Sequence, residues 1–287
     1  MRQSLIKAAI IGVLLLLTGC NALRLAYNNG PLVTWWWLDG YLDIGSEQAP
    51  RTKAAIDAWF DANRGTQLPE IASLLAVAGT EVLEPTTPGQ VCRWQRQFRE
   101  RIDPALERAL QQAADVLPGL GEAQWRHLED RFAKKNADMR REFLQPDPAV
   151  RLKASIERVV DRAETFYGRL GEPQRRIITA GVSASPFDAQ AWMAERERRQ
   201  RETLQTLRRL TAERADRDRI IAALRVLVDR IERSADPAYR SYQEHLIEYN
   251  CAFAAQLHNA TTPAQRQTAR ERLQGWVDDL RSLSAPQ

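Results

Sequence analysis

The sequence runs to 287 residues, with 41 basic and 37 acidic side chains, 44% hydrophobic positions, three cysteines and three histidines. That length suffices for one large domain or two small ones with a sizeable core. Basic and acidic residues are interleaved, so the basic stripe that a phosphate backbone requires is absent and no nucleic-acid partner is expected.

The chain opens with Arg2 and Lys7, followed by an uncharged apolar run from Ala8 to Leu17 and then Leu17-Thr18-Gly19-Cys20. A positive start, an apolar stretch of secretory length and small residues before a cut read as a signal peptide over residues 1–19. The four residues resemble a bacterial lipobox. That resemblance implies that the Cys20 sulfur takes a diacylglycerol and the freed amine a third acyl chain, so the membrane is a partner through an N-terminal lipid. Arg2 and Lys7 leave with the signal, and 39 basic against 37 acidic residues remain, a balance of +2. Asn21 stands where an Asp would favour inner-membrane retention in lipoproteins. The expected location is therefore the outer membrane, facing the periplasm. No later apolar run approaches the ~20 residues of a spanning helix.

Residues 20–46 form a lipid-anchored aromatic segment. Asn28-Asn29-Gly30-Pro31 is turn chemistry, with Pro31 suited to a first helical position. Leu32 to Ile44 follows, apolar nearly all round, with Trp35, Trp36, Trp37 and Tyr41 as candidate binding residues. A helix of this kind is buried or lies at a membrane. The preferred reading places the tryptophans in the core; the other makes them an interfacial foot beside the lipid. Asp39 and Asp43, four apart, read as a helix-turn or salt-bridge pair before they read as acid–base chemistry.

Residues 47–287 read as one helical periplasmic domain. Ala55, Ile56, Trp59 and Phe60 predict a helix ending near Asn63-Arg64-Gly65, and Leu68 to Leu83 predicts another. Pro88 to Val116 is long, with a kink expected at Pro104. Gly121 to Phe143, Pro148 to Leu170 and Pro173 to Val182 follow. A single long helix is expected from Asp188 to Ile231, its charged run Arg196–Arg201 a solvated face. Pro237 to Leu257 and Pro263 to Leu283 close the chain. With no convincing strand alternation, the fold class is all-α, a multi-helix bundle of long amphipathic helices.

Cys20 apart, two cysteines remain in a compartment that permits disulfides. Cys92 and Cys251 both fall on apolar helical faces, and a disulfide between them is expected, tying an early helix to a late one.

Four segments share one start pattern: Thr87-Pro88-Gly89-Gln90, Gly121-Glu122-Ala123-Gln124, Gly171-Glu172-Pro173-Gln174 and Thr262-Pro263-Ala264-Gln265. Each reads as a capping box, with the Gln reaching back to the amide three residues earlier. The pattern also resembles the LTxxQ motif of Spy-type periplasmic chaperones, which implies ATP-independent binding of exposed client surface. Shared capping is the preferred explanation. Across most of its length the chain resembles an uncharacterised family of Gram-negative lipoproteins. The lipobox, Tyr27-Asn28-Asn29, Trp35-Trp36 with Asp39 and Tyr41, and Tyr249-Asn250-Cys251 carry that resemblance; it implies an envelope location and no activity.

His127, His245 and His258 have no metal-ligand spacing, and phosphate-binding and nucleophile-elbow motifs are missing. Neither a metal nor a cofactor is expected. His245 with Glu244 and Glu248 reads as a solvated face. The functional expectation is a non-enzymatic module that binds envelope proteins or acts like a chaperone. Its rivals are a hydrolase of envelope polymers and a scaffold with one fixed partner.

Overall fold

After the first described helix, every helix start is fixed locally by a proline, an Asp or Thr cap, or a glutamine that folds back on the chain. The computed structural model describes residues 22–285, so the expected signal peptide and Cys20 lie outside the described residues. Among them the chain forms eleven α-helices and no strand. These are α1 (Ala22–Asn28), α2 (Gly30–Leu42), α3 (Ala49–Glu81), α4 (Pro88–Val116), α5 (Glu122–Phe143) and α6 (Pro148–Tyr167). They continue as α7 (Glu172–Ser183), α8 (Ala189–Ala212), α9 (Arg217–Glu232), α10 (Pro237–Asn259) and α11 (Pro263–Ser284). The all-α expectation is met.

Two boundaries differ from the sequence reading. The break expected at Asn63–Gly65 does not occur: α3 runs unbroken through Gly65 and Pro69. A proline inside a helix removes one backbone bond and crowds the carbonyl four residues earlier. Here that residue is Gly65, with open space around its α-carbon. Tertiary contacts hold both halves of α3 in line, with α4 along one side and α11 along another. Conversely, the single helix expected from Asp188 to Ile231 is two. Arg214 adopts a left-handed conformation (φ 48°), and the Ala215 amide donates to Leu210 O at 3.0 Å, the closure of a Schellman turn. Asp216 then accepts from the Arg219 amide at 2.8 Å and starts α9.

The charged run in α8 is also reassigned. Glu195 is buried and receives two bonds from Arg198, at 2.7 and 2.8 Å. Arg196 donates to Asn136 of α5 at 3.0 Å, and Arg199 to Ile231 O of α9 at 3.3 Å. Of Arg196–Arg201 only Arg201 is exposed, so most of the run is a seam between helices. The stretch around His245 is as expected: Glu244, His245 and Glu248 are all exposed.

All four capping glutamines do what their spacing implies, accepting from the amides of Thr87, Gly121, Gly171 and Thr262 at 2.8 to 3.0 Å. The two threonine boxes also return the second bond, at 3.2 Å each. A fifth copy, Gly45-Ser46-Glu47-Gln48, closes the same way at 2.9 Å before α3. Four of these five glutamines work in pairs. Gln174 Nε2 donates to Ala260 O, in the loop before α11, at 2.7 Å. Gln265 Nε2 donates to Arg169 O, in the loop before α7, at 2.9 Å. In the same manner Gln48 donates to Gly119 O ahead of α5, and Gln124 to Asp43 O ahead of α3 at 3.4 Å. Gln48, Gln124, Gln174 and Gln265 thus each close the start of their own helix and fasten another segment.

The core gathers in three clusters among the described residues. One surrounds Trp125 between α4, α5, α8 and α9; one lies around Ile178 between α6, α7 and α10; one joins Leu68 and Ala72 of α3 to Leu280 and Leu283 of α11. The long α3 and α4 run alongside them.

Candidate functional site

Cys92 in α4 and Cys251 in α10 are joined in a disulfide, with α-carbons 5.5 Å apart, as their sequence context predicts. Cys251 is buried. The bond links two packed helices and offers no exposed thiol, so its role is structural.

The tryptophans are not in the core. No residue of α2 is buried. Leu32, Val33, Trp36 and Trp37 lie on one face of the helix and are exposed, the two tryptophans at 62% and 59%. Leu25 of α1 is exposed as well. Trp35 and Tyr41 are half-buried: Lys53 Nζ sits 4.6 Å from the Trp35 ring centroid, and Tyr41 packs 4.8 Å from Trp37 and edge-on to Phe132. The helix is held close to α3 because Gly30 has no side chain. A β-carbon there would fall 2.3 Å from the Phe60 ring, and Tyr27 Oη donates to Phe60 O at 2.8 Å. The preference for core is thus overturned, because α2 packs through its inner face alone, leaves Trp35 half-buried and turns Trp36 and Trp37 outward.

Beneath that inner face lies an apolar cleft of about 470 Å³, bounded by Leu38, Ile56, Phe60, Val116 and Leu224. Asp39 and Asp43 do not line it. Asp39 Oδ1 instead accepts from the Ile44 amide at 3.1 Å, closing the end of α2 where Asp43 is left-handed. The helix-turn reading of this pair is correct. Among the described residues no group of three or more His, Cys, Asp or Glu side chains is placed to hold a metal, and no helix is long and apolar enough to cross a membrane.

A second cleft, of about 890 Å³, opens between α6 on one wall and α7 and α10 on the other, with the loops around Gln145 and Phe187 at its ends. Gly181 keeps its wall tight: a β-carbon there would fall 2.3 Å from the Phe253 ring, and Tyr249 Oη donates to Gly181 O at 2.5 Å. Arg151, Ser155, Arg158 and Arg162 line it from a single face of α6. This site was missed in the sequence, although the spacing of four, three and four residues marks one helical face. The acidic residues of α6, Glu157, Asp161 and Glu164, lie off that face.

No curated protein and no solved structure matches the chain significantly. One family model, described as a family of unknown function (DUF6279), matches residues 40–240, well over half of the sequence, and the chain belongs to that family.

Proposed function

We propose that the chain is a lipoprotein, acylated at Cys20 after loss of residues 1–19, which faces the periplasm from the outer membrane and works by binding envelope proteins. The observation that carries this reading is the outward aromatic face of α2. Gly30 lies only ten residues beyond Cys20, so lipid anchoring at Cys20 holds Trp36 and Trp37 against the bilayer. Tryptophan favours that interface because its ring is apolar and its N–H polar. Contiguous exposed apolar surface on a folded chain marks an interaction site.

The apolar cleft behind α2 supports the binding half of the reading. At about 470 Å³ it suits one or two inserted side chains of a folded partner more than the broad surface a chaperone presents to unfolded clients. The glutamine motifs are occupied in capping and fastening helices, which favours shared capping over shared function with the Spy-type proteins. A hydrolase built on the Asp39–Asp43 pair would need both carboxylates facing a cleft, and Asp39 is engaged at a helix end.

The test uses the full chain in vesicles carrying brominated phospholipid. Native tryptophan fluorescence is expected to be quenched, with at least half of the quenching lost in Trp36→Ser/Trp37→Ser. Cys20→Ser is expected to take no palmitate analogue in cells and to leave the membrane fraction. Equal quenching of the double variant removes the interfacial seat; continued labelling of Cys20→Ser removes the anchor.

A further inference from the structure

From the cleft between α6, α7 and α10 we infer a binding site for an anionic amphiphile: an oxyanion head, phosphate or carboxylate, carried on an apolar chain. The site is built from elements other than α2, so it stands or falls independently of the membrane seat.

The charge argument comes first. Most arginine ion pairs of this protein are made between neighbouring helices or turns, as in Arg175–Glu164 and Arg217–Asp115. Arg151, Arg158 and Arg162 have no carboxylate partner among the described residues, and all three line one cleft from one face of α6. Arg151 donates to Gln145 O and, at 3.0 Å, to Pro146 O, which fixes the loop at the cleft's end. Arg158 lies 4.5 Å from the Phe143 ring centroid and donates to Ser155 Oγ at 2.9 Å, which aims its guanidinium along the cleft. Arg162 is exposed, with no side-chain bond among the described residues. Several guanidinium N–H groups therefore remain for a ligand, in the forked geometry that suits phosphate and carboxylate. Asp188 is the one carboxylate in the lining, and it accepts from the Gln190 and Ala191 amides at 2.8 and 3.0 Å. It is held at the start of α8, where the helix terminus offsets part of its charge.

The apolar half comes from both walls, α6 and α10, and from the loop at Phe187. Val159, Leu246 and Phe253 line the interior, and Leu152 and Phe187 stand exposed at the rim. A simple inorganic anion would use none of these. Apolar walls with a few convergent polar groups, in a volume inside the roughly 300–1,000 Å³ range of small-molecule sites, fit an amphiphile of modest size.

The test is equilibrium dialysis of octyl phosphate, below its micelle concentration, against the full chain held in zwitterionic nanodiscs, with empty nanodiscs subtracted. One saturable site per chain is expected. Inorganic phosphate and octanol should each bind at least about tenfold more weakly, because each lacks one half of the ligand. Octanoate identifies the head: tighter octyl phosphate indicates a lipid phosphate, tighter octanoate a fatty acid, and either supports the site. Arg162→Gln, exposed and unbonded, should weaken octyl phosphate binding about tenfold, and Arg158→Gln at least as much. Lys153→Gln, on the exposed side of α6, should leave it unchanged. Arg162 provides a variant whose folding is not at stake. Octanol or inorganic phosphate binding as tightly as octyl phosphate, or Arg162→Gln binding like the parent, overturns the proposal.

Discussion

His258 is held in one neutral form by its two partners. Its Nε2 lies 2.8 Å from Glu84 O, and a carbonyl only accepts, so Nε2 carries the hydrogen. Nδ1 is then free to accept from Tyr167 Oη at 2.8 Å. Burial pushes the imidazole below its ordinary value, with Arg266 acting in the same direction and the bond to Glu84 opposing. Burial likewise pushes the Tyr167 phenol up to about 12, which keeps that donor protonated. Arg266, donating to Leu83 O at 3.1 Å, and Asn259, bonded both ways with Thr86, secure the same α3–α4 loop. With the folded value depressed, the unfolded chain takes up a proton first on acidification. The contribution of His258 is complete above the ordinary imidazole value of about 6.5 and is lost as pH falls below it. Glutamine can make both hydrogen bonds without titrating. The urea midpoint of the parent is therefore expected to fall between pH 7.5 and 5 by more than that of His258→Gln. Parallel profiles would show that the imidazole remains uncharged through that range or is not buried in solution.

At the scale of elements, the joint between α3 and α4 explains both a failed expectation and a stability. Asn63 and Gln67 are 2% and 6% exposed. Each accepts from Arg108 Nη1 of α4 at 2.8 Å. Gln67 Nε2 also donates to Arg101 O at 2.6 Å, and Trp59 Nε1 to Ala105 O at 2.7 Å. These two carbonyls flank Pro104, where an interior proline disturbs the backbone ladder. Asn63, which looked like a helix end, is thus engaged by Arg108 of the next helix, while its neighbours Trp59 and Gln67 support the backbone around Pro104. Local rules found the cap boxes, because both partners lie three residues apart in sequence. They missed the continuity of α3, because Asn63 is satisfied from 45 residues away. They also favoured the core for the tryptophans, since core and interface select the same ring, and only the packing of α2 tells them apart. The arginine face of α6 was legible as spacing; that a cleft opens along it was not. Replacing Arg108 by leucine leaves two buried acceptors without their donor and should cost about 2 to 4 kcal/mol. Urea unfolding at constant m-value checks it. A loss under 1 kcal/mol would mean that water replaces the guanidinium.

Across the whole molecule, the disulfide closes a loop between residues 159 apart that contains all of α5 to α9 and most of α4 and α10. The cluster around Trp125 draws on α4, α5, α8 and α9, and the cluster around Ile178 on α6, α7 and α10. Both therefore have members inside the loop, and the bond constrains the unfolded chain across both at once. The chain-entropy treatment gives on the order of 5 kcal/mol for a loop of this length, an upper figure because measured effects fall below it. A substantial fraction of the stability of a typical fold is of that size. Reduction should then lower the urea midpoint of the whole transition, and Cys92→Ala/Cys251→Ala should reproduce the drop without reductant. Thiol titration in denaturant makes the assignment independent of stability: Cys20→Ser should show no reactive thiol before reduction and two after. If only part of the helical signal shifts on reduction, the two clusters unfold separately and the bond stabilises one of them alone. If the whole transition moves together, α4 and α10 transmit the constraint, and the helices between residues 49 and 284 unfold as one cooperative unit.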